Sequence, residues 1–503
     1  MSSGTSCLLS PDVTDPSVTR QAKRLVAGRC LIASDIDRTL LSHNADEASE
    51  FFRTVAPHLV HAAQMGTHVA VLSGNSVHQL VSRFLDLLVQ ELCHCRRPDL
   101  LGQFHFFCNG AGLYAHFPMT DPELRDLLEH PNDAVQATRM LDALRCRDRT
   151  GSCTLRPRFV NGEYLERCQL DSNPEQRSET EHLVTSILDE VGAAYFDQLA
   201  GNAEALAWSY DLSLVTTGDG FTRPHVDVRS IQHGTRGERR ATVQMTLKPV
   251  LGSYMRLQGA ARSSAGDDPR TAAVAAIQER LDSEGLGHIV ARPGGRSSID
   301  IALRKVDKAY ALRYLIDRLN VQGQSTGERF GSQTIYFGDE VTIGTGNDYA
   351  VTRIPGLTVF AVNGTNHPAP FLSSVFVPSP TLNGPQATAT VLQKYNEIAQ
   401  EQIARMSRGS AGVHTAIDIL KQRIFGTRID RKISELRNSP TDITGDDWQG
   451  MHAYITLLSR QDPDARVYLA ILRDLLDIML RNDVEPRALV HHLAAGSSHP
   501  DWE

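Results

Sequence analysis

The sequence predicts an α/β protein with a doubly wound parallel sheet, an inserted α+β cap and a helical C-terminal domain. Short apolar runs alternate with helical patterns near the start, and the same pattern returns after residue 304. The residues between these two segments contain strand-like runs that suggest an antiparallel sheet. The C-terminal residues have amphipathic helical patterns. We therefore predict a core of residues 26–112 and 304–380, a cap of residues 113–303 and a helical domain of residues 385–503.

The first half of the core contains three apolar runs that read as strands: "RCLIAS" (29–34), "HVAVLS" (68–73) and "FHFFCN" (104–109). Helical patterns at about 46–65 and 76–93 separate them. Strands that alternate with helices are typical of a parallel, doubly wound sheet.

The second half begins with helical "DKAYALRYLIDRLN" (307–320), followed by the strand-like runs "QTIYFGD" (333–339) and "LTVFAVN" (357–363). Two separated segments are thus expected to build one sheet. In the intervening cap, the strand-like runs are "ATVQMTLKPV" (241–250), "HIVARPGG" (288–295) and "SSIDIAL" (297–303), which indicate an antiparallel sheet.

Both ends of the chain differ from the core. Residues 1–25 are rich in Ser, Thr, Asp and Pro and are predicted to be a loose leader. The amphipathic helices of residues 385–503 have three uses open to them: packing on the core, forming a homo-oligomer interface or docking a protein partner.

Composition narrows the class of partner. The 503 residues carry a net charge of −8, with 41% hydrophobic and 22% charged residues, which argues against a nucleic-acid or anionic-membrane partner. The eight cysteines include no C-x-x-C pair, so reduced thiols are expected. The sequence lacks a signal-peptide pattern and a membrane-length apolar run, and a cytoplasmic protein is expected.

Two aspartates follow the first predicted strand, in "LIASDIDRTLLS". Alone, this pattern is common in turns and helix caps. At the carboxyl end of a parallel strand, however, Asp35 is expected to face the crevice where doubly wound folds bind ligands. A second carboxylate, Asp37, is tolerable there if a divalent cation neutralises the charge.

Two further residues can bind a phosphate group. Ser73 follows the second strand in "VAVLSGNS", where it offers a hydroxyl or simply forms a turn. Lys308 lies near a helix start, where the macrodipole disfavours a cation unless an anion is near. A solvated surface lysine is the alternative, and Lys305 competes for the role.

The stretch "YFGDEVTIGTGNDYAV" (336–351) supplies the last acidic residues. Asp339 stands where an apolar strand ends, and Asn347 and Asp348 open the next predicted helix. Gly344 and Gly346 allow the loop between them to fold back toward the crevice.

These four elements, in this order, resemble the motifs of haloacid dehalogenase-like (HAD) phosphohydrolases. The matching segments are "DIDRT", "LSGNS", "VDKAYAL" and "GDEVTIGTGND". The Cof-type and phosphomannomutase-like branch is the most similar, through "FFCNGAGLY" and "PGGRSSIDIALRKVDK". The resemblance implies a Rossmann-like core and a reaction at a phosphate monoester.

The resemblance also implies roles for individual residues. Asp35 is the expected nucleophile and Asp37 the expected general acid and base. Mg²⁺ is the expected cofactor, with Asp35, the Asp37 backbone carbonyl, Asp339 and Asp348 as its ligands or their support. The expected phosphate-binding residues are Thr39, Ser73, Gly74, Lys308 and Asn347.

Two departures from the family pattern stand out. Arg38 occupies a position usually held by Gly, an exchange expected to alter entry to the site without touching the carboxylates. The arginine-bearing cap segment by which phosphomannomutases hold a second phosphate has no match here. Arg292, Arg296 and Ser298, all within "RPGGRSS" (292–298), are candidate substrate contacts in the cap, or else part of a solvated hairpin.

The sequence therefore predicts a Mg²⁺-dependent phosphatase whose small phosphorylated substrate is a sugar phosphate, acting through an aspartyl phosphate. A phosphohexomutase with the same residues is one alternative. A regulatory or binding protein that acts through the helical C-terminal domain is the other.

Overall fold

The computed structural model describes most of the chain up to residue 420. The described residues are 16–27, 30–42, 44, 46–129, 135–147, 153–171, 173–201, 222–232, 240–250, 270–294, 298–322, 333–341, 347–354, 357–362, 374–376, 378, 382, 384–408, 415–417 and 419–420. Most of the predicted helical domain of residues 385–503 lies outside them.

The strands, in chain order, are β1 (Leu31–Ser34), β2 (His68–Leu72), β3 (Phe104–Cys108), β4 (Leu113–His116), β5 (Arg145–Arg147), β6 (Cys153–Leu155), β7 (Thr222–Gln232), β8 (Arg240–Val250), β9 (Ile289–Gly294), β10 (Ser298–Leu303), β11 (Thr334–Gly338), β12 (Thr358–Ala361) and β13 (Ser374–Phe376).

The α-helices are α1 (Pro16–Val26), α2 (Glu47–Thr54), α3 (Ala56–Gln64), α4 (Val77–Leu80), α5 (Asp86–His94), α6 (Pro122–Glu129), α7 (Gln136–Leu144), α8 (Gly162–Cys168), α9 (Pro174–Gly201), α10 (Arg270–Ser283), α11 (Lys308–Gln322) and α12 (Gly384–Ser407). A π-helical turn, Val81–Leu85, joins α4 to α5, and short 3₁₀ helices occupy Pro98–Gln103, Pro157–Phe159 and Tyr349–Arg353.

Seven of the described strands form the main sheet, in the order β13-β12-β11-β1-β2-β3-β4. The pairs β1–β11, β11–β12 and β12–β13 are parallel, whereas β4 pairs antiparallel with β3. The early and late segments of the chain thus share one mainly parallel sheet. The predicted α/β class, with two separated segments in one sheet, is confirmed.

The sequence of the central strands explains their position. Every residue of β1, β3, β11 and β12 is buried, on both faces of the sheet. A strand that is covered by helices on both sides needs a continuous apolar run instead of strict alternation. Runs such as "LIAS" and "TIYFG" meet this requirement.

A second sheet has the order β7-β8-β10-β9, and its pairs are antiparallel. Its strands come from the segment predicted to form an antiparallel sheet in the cap. The hairpin of β5 and β6 also comes from that segment.

The chain divides into two compact units, one of Met1–Val69 with Ile316–Glu503 and the other of Ala70–Leu315. The predicted bounds of core and cap stay predictions.

The predicted loose leader is wrong for residues 16–25, which belong to α1. Ala22 and Val26 on this helix are buried, and α1 packs against α12. The helix is stable through this tertiary contact, which the polar composition of the segment does not reveal. Residues 1–15 of the leader lie outside the described residues.

Helix α12 opens the predicted helical domain and belongs to the first unit. Its Tyr395 hydroxyl lies 2.6 Å from Oγ1 of Thr67, and Nδ2 of Asn396 donates to the carbonyl of His58 over 3.0 Å. Both contacts are with the core part of that unit. Packing on the core is therefore a use of this first helix.

No helix in the described part of the chain is long and apolar enough to span a membrane. Seven of the eight cysteines are described, and all seven are free thiols.

Candidate active site

Asp35 follows directly after β1. Its backbone N–H donates to the carbonyl of Phe337 on β11 over 2.9 Å, which continues the pairing of the two strands by one residue. The residue is 4% exposed. The aspartate thus lies at the carboxyl end of a buried parallel strand, as predicted.

Asp339 and Asp348 come from the end of β11 and from the short helix that follows. Asp339, directly after β11, is 6% exposed. Asp348 caps the Tyr349–Arg353 turn, its N–H donates to the Glu340 carbonyl, and its Oδ2 accepts from the Glu340 N–H over 3.0 Å. These two hydrogen bonds hold Asp348 beside Glu340, close to the end of β11.

Glycine at position 338 is required by this arrangement. A Cβ at Gly338 would lie 2.5 Å from Oδ2 of Asp348, closer than real Cβ contacts allow. The missing side chain therefore leaves room for the Asp348 carboxylate beside the strand.

Asp35, Asp339 and Asp348 form one group. A carboxylate oxygen from each lies within 4.8 Å of the others, and all three residues are buried. Three like charges at this separation repel strongly unless a cation binds them. Because carboxylate oxygen is the donor that Mg²⁺ and similar hard cations prefer, this donor set fits a divalent cation.

Tyr336 supports this carboxylate group from β11. Its hydroxyl donates to Oδ1 of Asp348 over 2.5 Å, and its ring is fully buried. Burial, together with the negative charges of Asp348 and Asp35, raises the pKa of Tyr336 well above its ordinary value. The phenol therefore stays protonated and acts as a donor.

The turn after β1 carries the second predicted catalytic residue. Asp37 is half-buried and forms an isolated β-bridge with Leu41, but its side chain is not in the carboxylate group. Thr39 is fully buried, and its hydroxyl has no hydrogen-bond partner within the described residues. Such burial favours a role in the shape of the loop over direct contact with phosphate.

Arg38 was expected to leave the carboxylates untouched, and this expectation is wrong. Its Nη1 lies 3.7 Å from Oδ2 of Asp339. Arg38 also has a left-handed backbone, with φ of 57°. Arg38 therefore contacts the carboxylate group from a strained backbone position, a contact that the local sequence does not predict.

Helix α12 packs against the turn after β1 that contains Arg38 and Thr39. The Thr388 hydroxyl donates to the Thr39 carbonyl over 2.9 Å, and Thr388 is fully buried. A Cβ at Gly384 would overlap the Arg38 carbonyl oxygen. The first turn of α12 therefore packs directly on the backbone of residues 38 and 39.

Ser73 belongs to the second unit and follows directly after β2. Its N–H donates to the Phe107 carbonyl over 2.9 Å, and its hydroxyl oxygen accepts from the Asn75 N–H over 3.0 Å. Nothing lies within 4 Å of the position that a Cβ on Gly74 would take. The loop is thus held by its own hydrogen bonds, with open space beside Gly74.

Asn109, the strand-end residue of "FFCNGAGLY", braces this loop. It has a φ of 53°, its N–H donates to the Asn75 carbonyl, and its Oδ1 accepts from the Val77 N–H over 3.2 Å. The side chain therefore caps the start of α4 and fixes the loop that carries Ser73.

Lys308 is the first residue of α11 and is 5% exposed. The preceding Asp307 caps the helix by accepting the Tyr310 N–H over 2.7 Å. Lys305 precedes the helix. A lysine that is nearly buried at a helix start is unlike the solvated alternative considered for it.

Of the three candidate substrate contacts in the cap, the side chain of Arg292 alone is described. Arg292 donates from Nη1 to the Val306 carbonyl over 2.7 Å and from Nη2 to the Arg304 carbonyl over 2.6 Å. These bonds direct its guanidinium to the backbone that leads to Lys308. Arg296 lies outside the described residues, and Ser298 begins β10, with only its backbone described.

Asn347 is exposed, at the edge of the Asp348 loop. Gly344 and Gly346 lie outside the described residues.

Sequence reasoning missed three contributors to this site: Tyr336, the contact of Arg38, and Thr388. Tyr336 lies within an apolar strand whose residues are all buried, so nothing marked its hydroxyl as a donor. Thr388 lies 349 positions from the carbonyl that it binds. Of these three, Arg38 alone was marked in the sequence, because it stands where the family pattern usually has Gly.

No protein-family model and no curated protein matches the chain. Several solved structures are similar. The N-terminally truncated IMP-nucleotidase of Plasmodium falciparum shares 11% identity over 77% of this chain and 73% of that chain, with a TM-score of 0.37. The sucrose-phosphatase of Synechocystis sp. PCC6803, in complex with sucrose and phosphate, shares 12% identity over 73% of this chain and 97% of that chain, with a TM-score of 0.34.

A haloacid dehalogenase-like hydrolase from Bacillus subtilis shares 9% identity over 73% of this chain and 91% of that chain, with a TM-score of 0.32. At TM-scores below 0.5, these likenesses decide neither the fold nor the reaction.

Proposed function

We propose that the chain is a HAD-type phosphohydrolase that cleaves a phosphate monoester at Asp35. The observation that carries this proposal is the convergence of the buried Asp35, Asp339 and Asp348 carboxylates at the end of parallel strands β1 and β11. Carboxylates at this edge of a sheet match the place where doubly wound folds bind ligands. The motif resemblance of the same residues supports the phosphate as substrate group.

Asp35 is the proposed nucleophile. One oxygen of its carboxylate attacks phosphorus, the bond from phosphorus to the ester oxygen breaks, and the phosphoryl group is transferred to Asp35. The leaving alkoxide takes a proton from Asp37. A divalent cation held by Asp35, Asp339 and Asp348 would supply positive charge against the carboxylates and the phosphoryl oxygens.

Asp37 is the proposed general acid and base. After it has given its proton to the alkoxide, its carboxylate removes a proton from water, and the hydroxide attacks phosphorus. The bond between Asp35 and phosphorus then breaks, which releases phosphate and restores both residues. The half-buried position of Asp37, outside the carboxylate group, is consistent with a side chain that exchanges protons with substrate and water.

Ser73 and Lys308 are proposed to hold the phosphoryl oxygens. The Ser73 hydroxyl accepts one hydrogen bond and keeps its own proton to donate. Gly74 and Asn347 complete the proposed phosphate-binding loops, and the buried Thr39 is proposed to shape the loop after β1. Positioning and charge of this kind dominate the catalysis of phosphoryl transfer.

We propose a sugar phosphate as substrate, because the motif segments most resemble the Cof-type and phosphomannomutase-like branch. The alternative mutase would use Asp35 and Asp37 in the same way but return the phosphoryl group to the sugar. The alternative of a binding protein would need no turnover. A cytoplasmic location is proposed from the free thiols of the described cysteines.

The test is phosphate release from a panel of sugar phosphates, nucleotides and phosphoglycerates with Mg²⁺, for the wild type and Asp35→Asn. The matched control is Asp46→Asn, because Asp46 is an exposed aspartate that pairs with Arg53. We expect release by the wild type and the control, and none by Asp35→Asn.

Three other results would redirect the proposal. Asp35→Asn with wild-type turnover would remove Asp35 as nucleophile. Isomerisation of a hexose phosphate without phosphate release, in the presence of a hexose bisphosphate, would establish the mutase. Neither activity with any substrate would favour the binding protein.

A further inference from the structure

Arg38 lies beside the carboxylate group but has no role in the proposed reaction. The guanidinium Nη1 is 3.7 Å from Oδ2 of Asp339. The Asp339 side chain is 5% exposed, whereas the Arg38 side chain is 28% exposed. The guanidinium thus lies between the buried carboxylate and solvent.

The contact with Asp339 leaves most of the guanidinium's donors without a bond in the described part of the chain. An arginine presents five N–H groups in a planar fork that matches two oxygens of a carboxylate or a phosphate. At 3.7 Å, the contact with Asp339 is an ion pair and not a hydrogen bond. The Arg38 fork can therefore donate to a second anion.

The backbone under Arg38 is fixed. Its N–H donates to the Leu41 carbonyl over 2.6 Å, and its φ of 57° is a left-handed conformation that costs free energy for a residue with a Cβ. Gly384 packs against its carbonyl, and Thr388 binds the next carbonyl. These contacts keep the start of the side chain at the carboxylate group.

We propose that Arg38 is a substrate-binding residue of the proposed phosphohydrolase, which offsets the charge of the Asp339 carboxylate and donates hydrogen bonds to the phosphoryl group of the substrate. This inference rests on the proposed function. Arg38 then weakens the binding of a divalent cation to the free enzyme, because it competes for the charge of Asp339. It strengthens the binding of the anionic substrate.

The test compares the wild type with Arg38→Gln and Arg38→Lys. Glutamine removes the charge but keeps a Cβ, so the left-handed backbone costs the same, whereas glycine would also remove that cost. The matched control is Arg53→Gln, which removes an equally charged residue from an exposed pair with Asp46. Circular dichroism and urea unfolding check that each variant is folded.

The first readout is Mg²⁺ affinity by isothermal titration calorimetry, without substrate. For Arg38→Gln we expect Mg²⁺ to bind about tenfold more tightly than in the wild type, because one positive charge beside the ligands is gone. Arg38→Lys should be close to the wild type, because it keeps the charge. Arg53→Gln should not change the affinity.

The second readout is KM for para-nitrophenyl phosphate at saturating Mg²⁺. We expect KM to rise about tenfold or more in Arg38→Gln, because a charge-assisted hydrogen bond to the phosphoryl group is lost. In Arg38→Lys the rise should be smaller but measurable, because an ammonium cannot bind two oxygens as a fork. Arg53→Gln should keep the wild-type KM.

The outcomes separate this inference from the proposed function. An active wild type whose Arg38→Gln variant keeps the same Mg²⁺ affinity or the same KM overturns the role of Arg38 alone. A wild type that binds no Mg²⁺ and releases no phosphate from any substrate overturns the proposed function and this inference with it.

Discussion

The Tyr336 hydroxyl donates a 2.5 Å hydrogen bond to Oδ1 of Asp348, and both side chains are fully buried. The second carboxylate oxygen of Asp348 accepts the Glu340 N–H. Both oxygens of a buried carboxylate therefore have a donor from β11 or its continuation. These bonds fix Asp348 against β11, the strand that directly precedes Asp339.

Replacing Tyr336 with phenylalanine is expected to reduce the free energy of unfolding by about 1–3 kcal/mol, because a buried charged acceptor loses its donor. Urea unfolding measures this change. A double-mutant cycle with Asp348→Asn isolates the pair, and a coupling energy of zero would show that the hydrogen bond does not stabilise the fold.

The three buried carboxylates make stability depend on a divalent cation. Adding Mg²⁺ to EDTA-treated protein is expected to raise the Tm by an amount that grows with Mg²⁺ concentration, because the cation binds the folded state. Differential scanning calorimetry measures the shift. Asp339→Asn should abolish most of it, and Asp99→Asn, at an exposed pair with Arg97, should leave it intact. A Tm that does not respond to Mg²⁺ would contradict the metal assignment.

The contact of α12 with the turn after β1 predicts that this helix affects both stability and turnover. Thr388→Val should lower the free energy of unfolding by about 1–2 kcal/mol and lower kcat, because the Thr39 carbonyl loses a buried donor. Gly384→Ala should act more strongly, since its Cβ would overlap the Arg38 carbonyl. Urea unfolding and steady-state kinetics measure both effects.

The same helix provides the control for this experiment. Thr390 is exposed and its hydroxyl donates to the Gln386 carbonyl within the helix. Thr390→Val should therefore leave kcat at the wild-type value. Equal effects of Thr388→Val and Thr390→Val would mean that helix propensity, and not the turn contact, is responsible.

Two histidines on α3 predict a loss of stability in mild acid. Burial lowers the pKa of His58, with a further contribution from the charge of His61, and Glu397 opposes this effect. Burial also lowers the pKa of His61, and the positive charge of Lys23 lowers it further. The unfolded chain, with an ordinary histidine pKa of about 6.5, then binds protons that the folded chain rejects.

The stability that these histidines contribute is therefore fully present above about pH 6.5 and is lost as the pH falls toward their folded pKa values. Urea unfolding at pH 7.5 and pH 5.5 measures the loss. The double variant His58→Gln with His61→Gln should lose less stability over this range, while His78→Gln, at an exposed position, should behave like the wild type. An unchanged pH dependence in the double variant would refute the assignment.

Arg292 offers a test of its predicted contact with substrate. Its two donor groups bind the carbonyls of Arg304 and Val306, and burial lowers its pKa. Arg292→Lys is expected to lower the free energy of unfolding, because one ammonium does not span both carbonyls, and to leave the order of substrate preference unchanged. A changed preference at unchanged stability would instead support the substrate contact.

The sequence by itself determined the fold class and the acidic residues of the site. Continuous apolar runs marked β1, β2, β3, β11 and β12, because a strand covered on both faces must be apolar throughout. Asp35 and Asp339 follow two of these runs directly. Parallel strands have their carboxyl ends at one edge of the sheet. The local pattern was therefore enough to predict that these two residues lie close together.

Only the tertiary structure decided which side chains meet there. It brought Asp348 into the carboxylate group and left the Asp37 side chain out of it, turned Arg38 toward Asp339, gave Asp348 its donor from Tyr336 and packed α12 on the turn. These contacts depend on loop conformation and on packing between residues up to 349 positions apart. Periodicity reports only which face of a local element is apolar, so it carries no information about such partners.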